Sequence, residues 1–247
     1  NNDGIADYIF AGDLKGNVWK FDVTSNDPDS WQVAYSGAPL FQARDHNGTA
    51  QPITAPMYTA VNNKSGDPNR NKLFVFFGSG AYFRTGDATD MQRQTWYGLI
   101  ADGLTPINSS RAAGALRQRS VTAIGTAGGR SSRTFSAAAA NDMVGMSGWY
   151  LDFTSPVEGE RITTASKIIN YAVPGLTGSS MYPITNDPCI PGGRGYLNVL
   201  DPFSGASFNF GILDANRDNY FSNDTLTAPN GTVGFIGSVD VCVGIPT

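Results

Sequence analysis

With 247 residues, the chain has enough material for one large domain or two small ones, each with a sizeable core. Only 15% of it is charged, whereas Gly numbers 29 and Pro 14, a balance that argues against long charged helices and for many short strands joined by tight turns. A net charge of -4 and a pI near 4.9, with no basic stripe interleaved with aromatics, remove the electrostatic basis for binding nucleic acid.

The chain opens with "NNDGIADYIFAGDLKGNVWKFDV". Asn1, Asp3 and Asp7 fall at the third, fifth and ninth places of a D-x-[DN]-x-[DN]-G-x-x-D calcium loop, with Gly4 at its turn position. That register puts the first ligand two residues ahead of Asn1, so an upstream segment is expected. Calcium takes about six to eight hard oxygens, and the Ile5 carbonyl would add a backbone oxygen to the three side chains. Phe10 occupies the place where an EF-hand carries its bidentate Glu, so the loop is no EF-hand and its affinity should be the weaker for it. Read from the residues alone, an Asx-rich turn bonded to its own backbone accounts for the stretch equally well.

Next, "YIFAG" and "NVWKFDV" flank "DLKG", which predicts a β-hairpin with Gly12 and Gly16 supplying turn freedom. Strand-like runs follow at "WQVAYSG", "PLFQAR", "PITAPMYTAV", "NKLFVFFGSGAYF" and "QTWYGLIADG", each bounded by Gly, Pro, Asn or Asp. His46, the sole histidine, lies in a Gly/Asn-rich loop and is expected in solvent. The segment "PINSSRAAGALRQRSVTAIGTAGGRSSRTFSAAAANDMVG" has few large apolar residues. It is expected to form long irregular connections with one exposed strand near "QRSVTAI". Strand signals resume at "SGWYLDF", "GERITTASKIINYAVPG", "SSMYPIT", "GRGYLNVLDPFSG" and "GTVGFIGSVDVCV". The aromatics Trp19, Phe21, Trp96, Tyr97, Trp149 and Tyr150 all fall in strand runs, where packing is the expected role.

Other features carry less. "ANRDNYFSND" groups Asp214, Asp218 and Asp224 around Arg217, and a solvated polar turn is expected there rather than a metal loop. Glu158 and Glu160, the only glutamates, read as part of a hairpin turn, although a carboxylate pair for glycoside hydrolysis stays open. With one His, zinc and Ser-His-Asp chemistry lack their equipment, and no G-x-S-x-G or P-loop occurs. "RTGD" at Arg84 to Asp87 is not an Arg-Gly-Asp tripeptide. Asn47, Asn63, Asn108, Asn223 and Asn230 head Asn-x-Ser/Thr triplets that read as turn composition. Cys189 and Cys242 are compatible with one disulfide or with two buried thiols. No run approaches the roughly 18 apolar residues of a membrane helix, so a soluble chain is expected.

"YIFAGDLKGNVWKFD", "LFVFFGSGAYFRTGD" and "RGYLNVLDPFSG" share a form: a short apolar strand, a Gly-marked turn and an Asp at the exit. A unit recurring in this way suggests propeller blades, and about four strands per blade gives three to four blades. The expectation is therefore an all-β fold, with residues 1–247 forming part of a single modified β-propeller and carrying long irregular loops. The exposed faces of such a half-propeller call for further blades upstream.

Taken in order, "DGIADYIFAGDLKGNVWKFDV", "FFGSGAYF", "QTWYGLIADG", "GWYLDF", "GERI" and "DPCIPGGRGYLNVLDPFSG" resemble the C-terminal β-propeller of the PilY/PilC family of type IV pilus assembly factors and tip adhesins. The similarity runs from the first residues to beyond Gly205. The resemblance implies an exported protein of a Gram-negative bacterium, placed at the pilus tip, the outer membrane surface or outside the cell. It implies binding rather than catalysis, with minor pilins or pilus assembly proteins, and host-cell or abiotic surface receptors, as partners. It also implies that the loop of Asn1, Asp3, Ile5 and Asp7 holds Ca2+ and sets the balance of pilus extension and retraction. Export favours the Cys189–Cys242 disulfide. The rival readings are a quinoprotein-type propeller dehydrogenase, whose adjacent cysteines find no counterpart here, and a purely receptor-binding adhesin module.

Overall fold

A computed structural model describes residues 4–156, 158–170, 173–184 and 192–241. Its first strands are β1 (Tyr8–Gly12), β2 (Asn17–Asp22), β3 (Gln32–Val33) and β4 (Phe41–Gln42), which form one sheet centred on β2. Next come β5 (Tyr58–Val61), β6 (Leu73–Gly78), β7 (Thr95–Ile100), β8 (Arg117–Arg119), β9 (Val121–Ala127), β10 (Arg130–Phe135) and β11 (Gly148–Asp152). The second sheet takes the order β5-β6-β7-β11-β8, antiparallel except where β8 runs parallel to β11. The remaining strands are β12 (Lys167–Asn170), β13 (Pro174–Ile184), β14 (Gly192–Leu200), β15 (Thr225–Thr227) and β16 (Val233–Val241). They make the third sheet, β12-β13-β14-β16-β10-β9, with β15 also on β16. Each sheet is open, with two edges, as successive blades are. The three sheets fit the lower end of the expected blade count.

The second sheet lies between the other two, and its sequence shows why. In β6, Phe74 and Phe76 join a core with Phe135, Leu176, Leu200 and Phe203 of the third-sheet side. Val75 and Phe77 point the other way, to Val18, Leu40 and Phe41 of the first-sheet side. Successive strand residues face opposite sides, so a sheet covered on both must be apolar without alternation. β7 repeats the arrangement, with Trp96 on one face and Tyr97 and Leu99 on the other. Fully burying each such side chain contributes about 1.5–3 kcal/mol. Trp96, Tyr97, Trp149 and Tyr150 are buried as expected, whereas Trp19 and Phe21 are half-buried.

The Arg- and Ser-rich stretch after β7 departs from expectation. Instead of irregular connections and one exposed strand, it supplies β8 to the second sheet and the β9–β10 hairpin to the third. Apolar content misled because this hairpin is held largely by buried polar groups. The Arg133 guanidinium pairs with both oxygens of Glu160, at 2.7 and 2.9 Å, and both side chains are fully buried. Glu160 is thus an ion-paired core residue rather than part of an exposed hairpin turn. Arg119 pairs with Asp142 at 2.7 Å. Among the described residues, no helix is long and apolar enough to cross a membrane.

Candidate metal loop and the hairpin that carries it

β1 and β2 form the expected hairpin, with Tyr8 opposite Asp22 and Gly12 opposite Val18. Its turn is organised by Asp13, whose Oδ1 accepts the N–H groups of Lys15 and Asn17 at 2.8 and 2.9 Å. Oδ2 accepts Asn17 Nδ2 at 2.9 Å and Trp19 Nε1 at 3.0 Å. Burial pushes the Asp13 carboxyl up, but the hydrogen bonds from Asn17, Trp19 and the backbone outweigh it and hold the group below its ordinary value. "GDLKGNVW" therefore encodes a turn in which one carboxylate takes four donors. Gly16 has φ +79°, and a Cβ there would stand 2.6 Å from the Gln51 carbonyl oxygen, so conformation and space both require glycine.

The candidate loop leads directly into this hairpin. Gly4 has φ +81°, the left-handed conformation that its turn position in the loop pattern needs. The Asp7 carbonyl accepts the Val23 N–H at 3.0 Å, which ties the end of the loop to the exit of β2. Ile5 is exposed and Asp7 half-buried. Asn1 and Asp3 lie outside the described residues, as do Cys189 and Cys242. The residue after Asp7 is anchored to the second sheet. Lys20, itself buried, places its Nζ 4.0 Å from the centre of the Tyr8 ring and donates to the Ala101 carbonyl at 2.9 Å. Burial lowers the Lys20 pKa, against the opposing fields of Asp102 and Asp22.

Other sequence candidates separate. His46 is exposed. Glu158 binds Arg93 while Glu160 is buried against Arg133, so each of these carboxylates is engaged by its own arginine. Asp214, Asp218 and Asp224 lie in one polar loop, where Asp214 and Asp218 accept hydrogen bonds from the loop's own backbone and amides, in keeping with the expected polar turn. Asn219 takes left-handed backbone, φ +65°, as Asn tolerates in a turn. Among the described residues, no group of three or more His, Cys, Asp or Glu side chains is clustered at metal-ligating spacing. A cavity of about 990 Å³ between the second and third sheets is lined by Tyr58, Ile168, Phe203, Phe208 and Phe210, with Lys64 and Asp201 paired at 2.8 Å among its polar groups.

Three open, stacked and largely antiparallel sheets, entered through an Asp-turn hairpin, define a β-propeller-type domain. A family model described as the PilY1 beta-propeller domain matches residues 1–123. The type IV pilus biogenesis factor PilY1 homolog of Xylella fastidiosa is 32% identical over 87% of the chain, and PilY1 of Pseudomonas aeruginosa PAO1 is 31% identical over 94%. The crystal structure of the P. aeruginosa PilY1 C-terminal domain superposes on 97% of the chain with a TM-score of 0.73 at 26% identity. The chain belongs to the PilY1 family and matches its C-terminal β-propeller domain. It spans 16% and 23% of those two curated relatives and 53% of the crystallised chain.

Proposed function

We propose that this chain is a calcium-responsive part of a type IV pilus biogenesis factor that works by binding rather than catalysis. The observation that carries the reading is the match to PilY1 relatives over nearly the whole chain, with the loop pattern ending at Asp7 at the entry to the hairpin. The three sheets are one part of a larger propeller, a reading supported by their open edges and by the 53% share of the crystallised relative. The protein is exported to the pilus tip or outer membrane surface of a Gram-negative bacterium, where Cys189 and Cys242 form a disulfide.

Asn1, Asp3, Asp7 and the Ile5 carbonyl supply hard oxygens of the kind calcium takes. Ordering that loop fixes the start of β1. Tyr8, Lys20 and Ala101 then connect β1 to the second sheet, so that the loop state is felt across the sheet interface. The fixed surface contacts a minor pilin or assembly protein and biases the machine toward extended pili, which also serves twitching motility and attachment to host or abiotic surfaces. The bias equals the difference in calcium affinity between the two loop states.

The test is a count of surface pili on cells carrying Asp7→Ala in the full-length protein, beside wild type and a deletion strain, at matched protein levels and two calcium concentrations. The expected result is a shift in pilus number that mimics calcium removal. Unchanged pili in the variant, with a bald deletion strain, would make the loop a structural staple.

A further inference from the structure

The cavity of about 990 Å³ between the second and third sheets stands apart from the loop that ends at Asp7, since none of its lining residues belongs to the first sheet. Tyr58 of β5 and the β5–β6 loop form one wall, and the segments that follow β10 and β14 form the other. Those two segments run side by side, the Ser207 N–H donating to the Ser136 carbonyl at 2.9 Å. Lys64 of the β5–β6 loop joins the walls by reaching Asp201 Oδ2 at 2.8 Å. Asp201 Oδ1 accepts the N–H groups of Phe203 and Ser204 at 3.0 and 3.1 Å, and the Pro202 carbonyl accepts Trp149 Nε1–H at 2.8 Å, so the second wall is tied to the core. The opening is built into the fold, as ligand sites usually are.

Its lining selects a ligand class. Lys64 and Asp201 neutralise each other, and Arg119 neutralises Asp142 at 2.7 Å, so an anion meets no unpaired cation among the described lining residues. The remaining charge is Asp67, whose Oδ1 already accepts the Asn69 N–H at 2.8 Å. The polar groups left over are amides: the side chains of Asn63, Asn141 and Asn209 bond no other described residue. An amide places a donor and an acceptor side by side, which suits hydroxyl groups, each of them donor and acceptor at once. Beside these amides, Phe208 and Phe210 pair with ring centres 5.2 Å apart, and Phe210 is 38% exposed. A purely apolar ligand would cover the amides without bonding them, at a cost. A sugar ring instead offers a C–H face to the aromatic pair and hydroxyls to the amides. At the upper end of the ~300–1,000 Å³ typical of ligand pockets, the cavity suits a short chain of rings.

We infer that this cavity between sheets binds a neutral oligosaccharide. Phe208 and Phe210 pack on a ring face, Asn63, Asn141 and Asn209 bond its hydroxyls, and Asp67 adds an acceptor. The site goes beyond the calcium-loop reading and does not depend on it.

The test applies the full-length protein to an array of immobilised neutral and sialylated glycans, then titrates it calorimetrically with the neutral glycan that gives the strongest signal. Phe210→Ala and Asn209→Ala are the variants, because both side chains are exposed and their replacement leaves the core intact. The expected result is saturable binding of a neutral glycan, weakened roughly tenfold in Phe210→Ala and also reduced in Asn209→Ala. That binding should change little with added salt, since no ion pair forms with the ligand. Absence of binding to every neutral glycan, binding to sialylated glycans alone, or equal affinity in wild type and both variants would each overturn the inference.

Discussion

Asp142 accepts the Nη1 and Nη2 groups of Arg119 at 2.7 and 3.3 Å and the Ala139 N–H at 3.1 Å. Burial raises its carboxyl, but the Arg119 bonds, the Ala139 N–H and the charges of Arg119 and Arg117 outweigh burial and hold it below the ordinary 3.8. A carboxyl depressed in the folded state stabilises fully above its unfolded pKa and loses that contribution as pH falls through the folded one. Asp142→Asn should therefore flatten the loss of stability as pH drops below 3.8, and change its slope little near neutrality. Urea midpoints measured across that acid range check this, and parallel curves for the two proteins would show that Asp142 is not the titrating group. At this scale the sequence was partly legible. Aromatic residues in apolar runs announced their burial, whereas nothing about Glu160 distinguished a core ion pair from a turn, since its partner lies 27 residues away.

β7 and β11 show how an element depends on a residue with no side chain. Gly98 stands opposite Trp149, and a Cβ at position 98 would lie 2.5 Å from the indole. The ring fills that space, donates Nε1–H to the Pro202 carbonyl at 2.8 Å, and meets Trp96 edge-on at 6.0 Å. Gly98→Ala should displace Trp149 and destabilise the domain by about 1–3 kcal/mol, as overpacking does. A lower urea midpoint together with altered tryptophan emission would confirm it; an unchanged midpoint would mean that the strands separate without strain. The Gly in "QTWYGLI" was visible in the sequence as a weak strand residue, but the ring it accommodates belongs to a strand about fifty residues further on.

Across the whole molecule, the Arg133–Glu160 pair joins parts that the chain order keeps apart. Arg133 comes from the β9–β10 hairpin and Glu160 from the connection between the second and third sheets. Asn198 of β14 and Ser238 of β16 complete the guanidinium shell at 2.8 and 3.0 Å, and Arg133 stacks on Tyr196 at 3.8 Å. Glu160→Gln leaves a buried, uncompensated guanidinium and should cost about 3–5 kcal/mol. The double change Arg133→Met with Glu160→Leu should cost less than the single one, because it removes both charges. Equilibrium denaturation of the three proteins decides, and a double variant weaker than Glu160→Gln would show that the polar network itself, not charge pairing, holds the sheets.

The sequence by itself determined the all-β character, the opening hairpin, the apolar "LFVFFG" strand and the family resemblance. Each is written in local signals: turn glycines, an Asp four residues before an Asn, and short apolar runs bounded by turn residues. Only the tertiary structure decided where the polar, Arg-rich segment goes and which acidic groups are buried. Those outcomes depend on contacts between residues far apart in the chain. A buried arginine and a solvated one have the same local sequence, and differ only in what the fold brings to meet them.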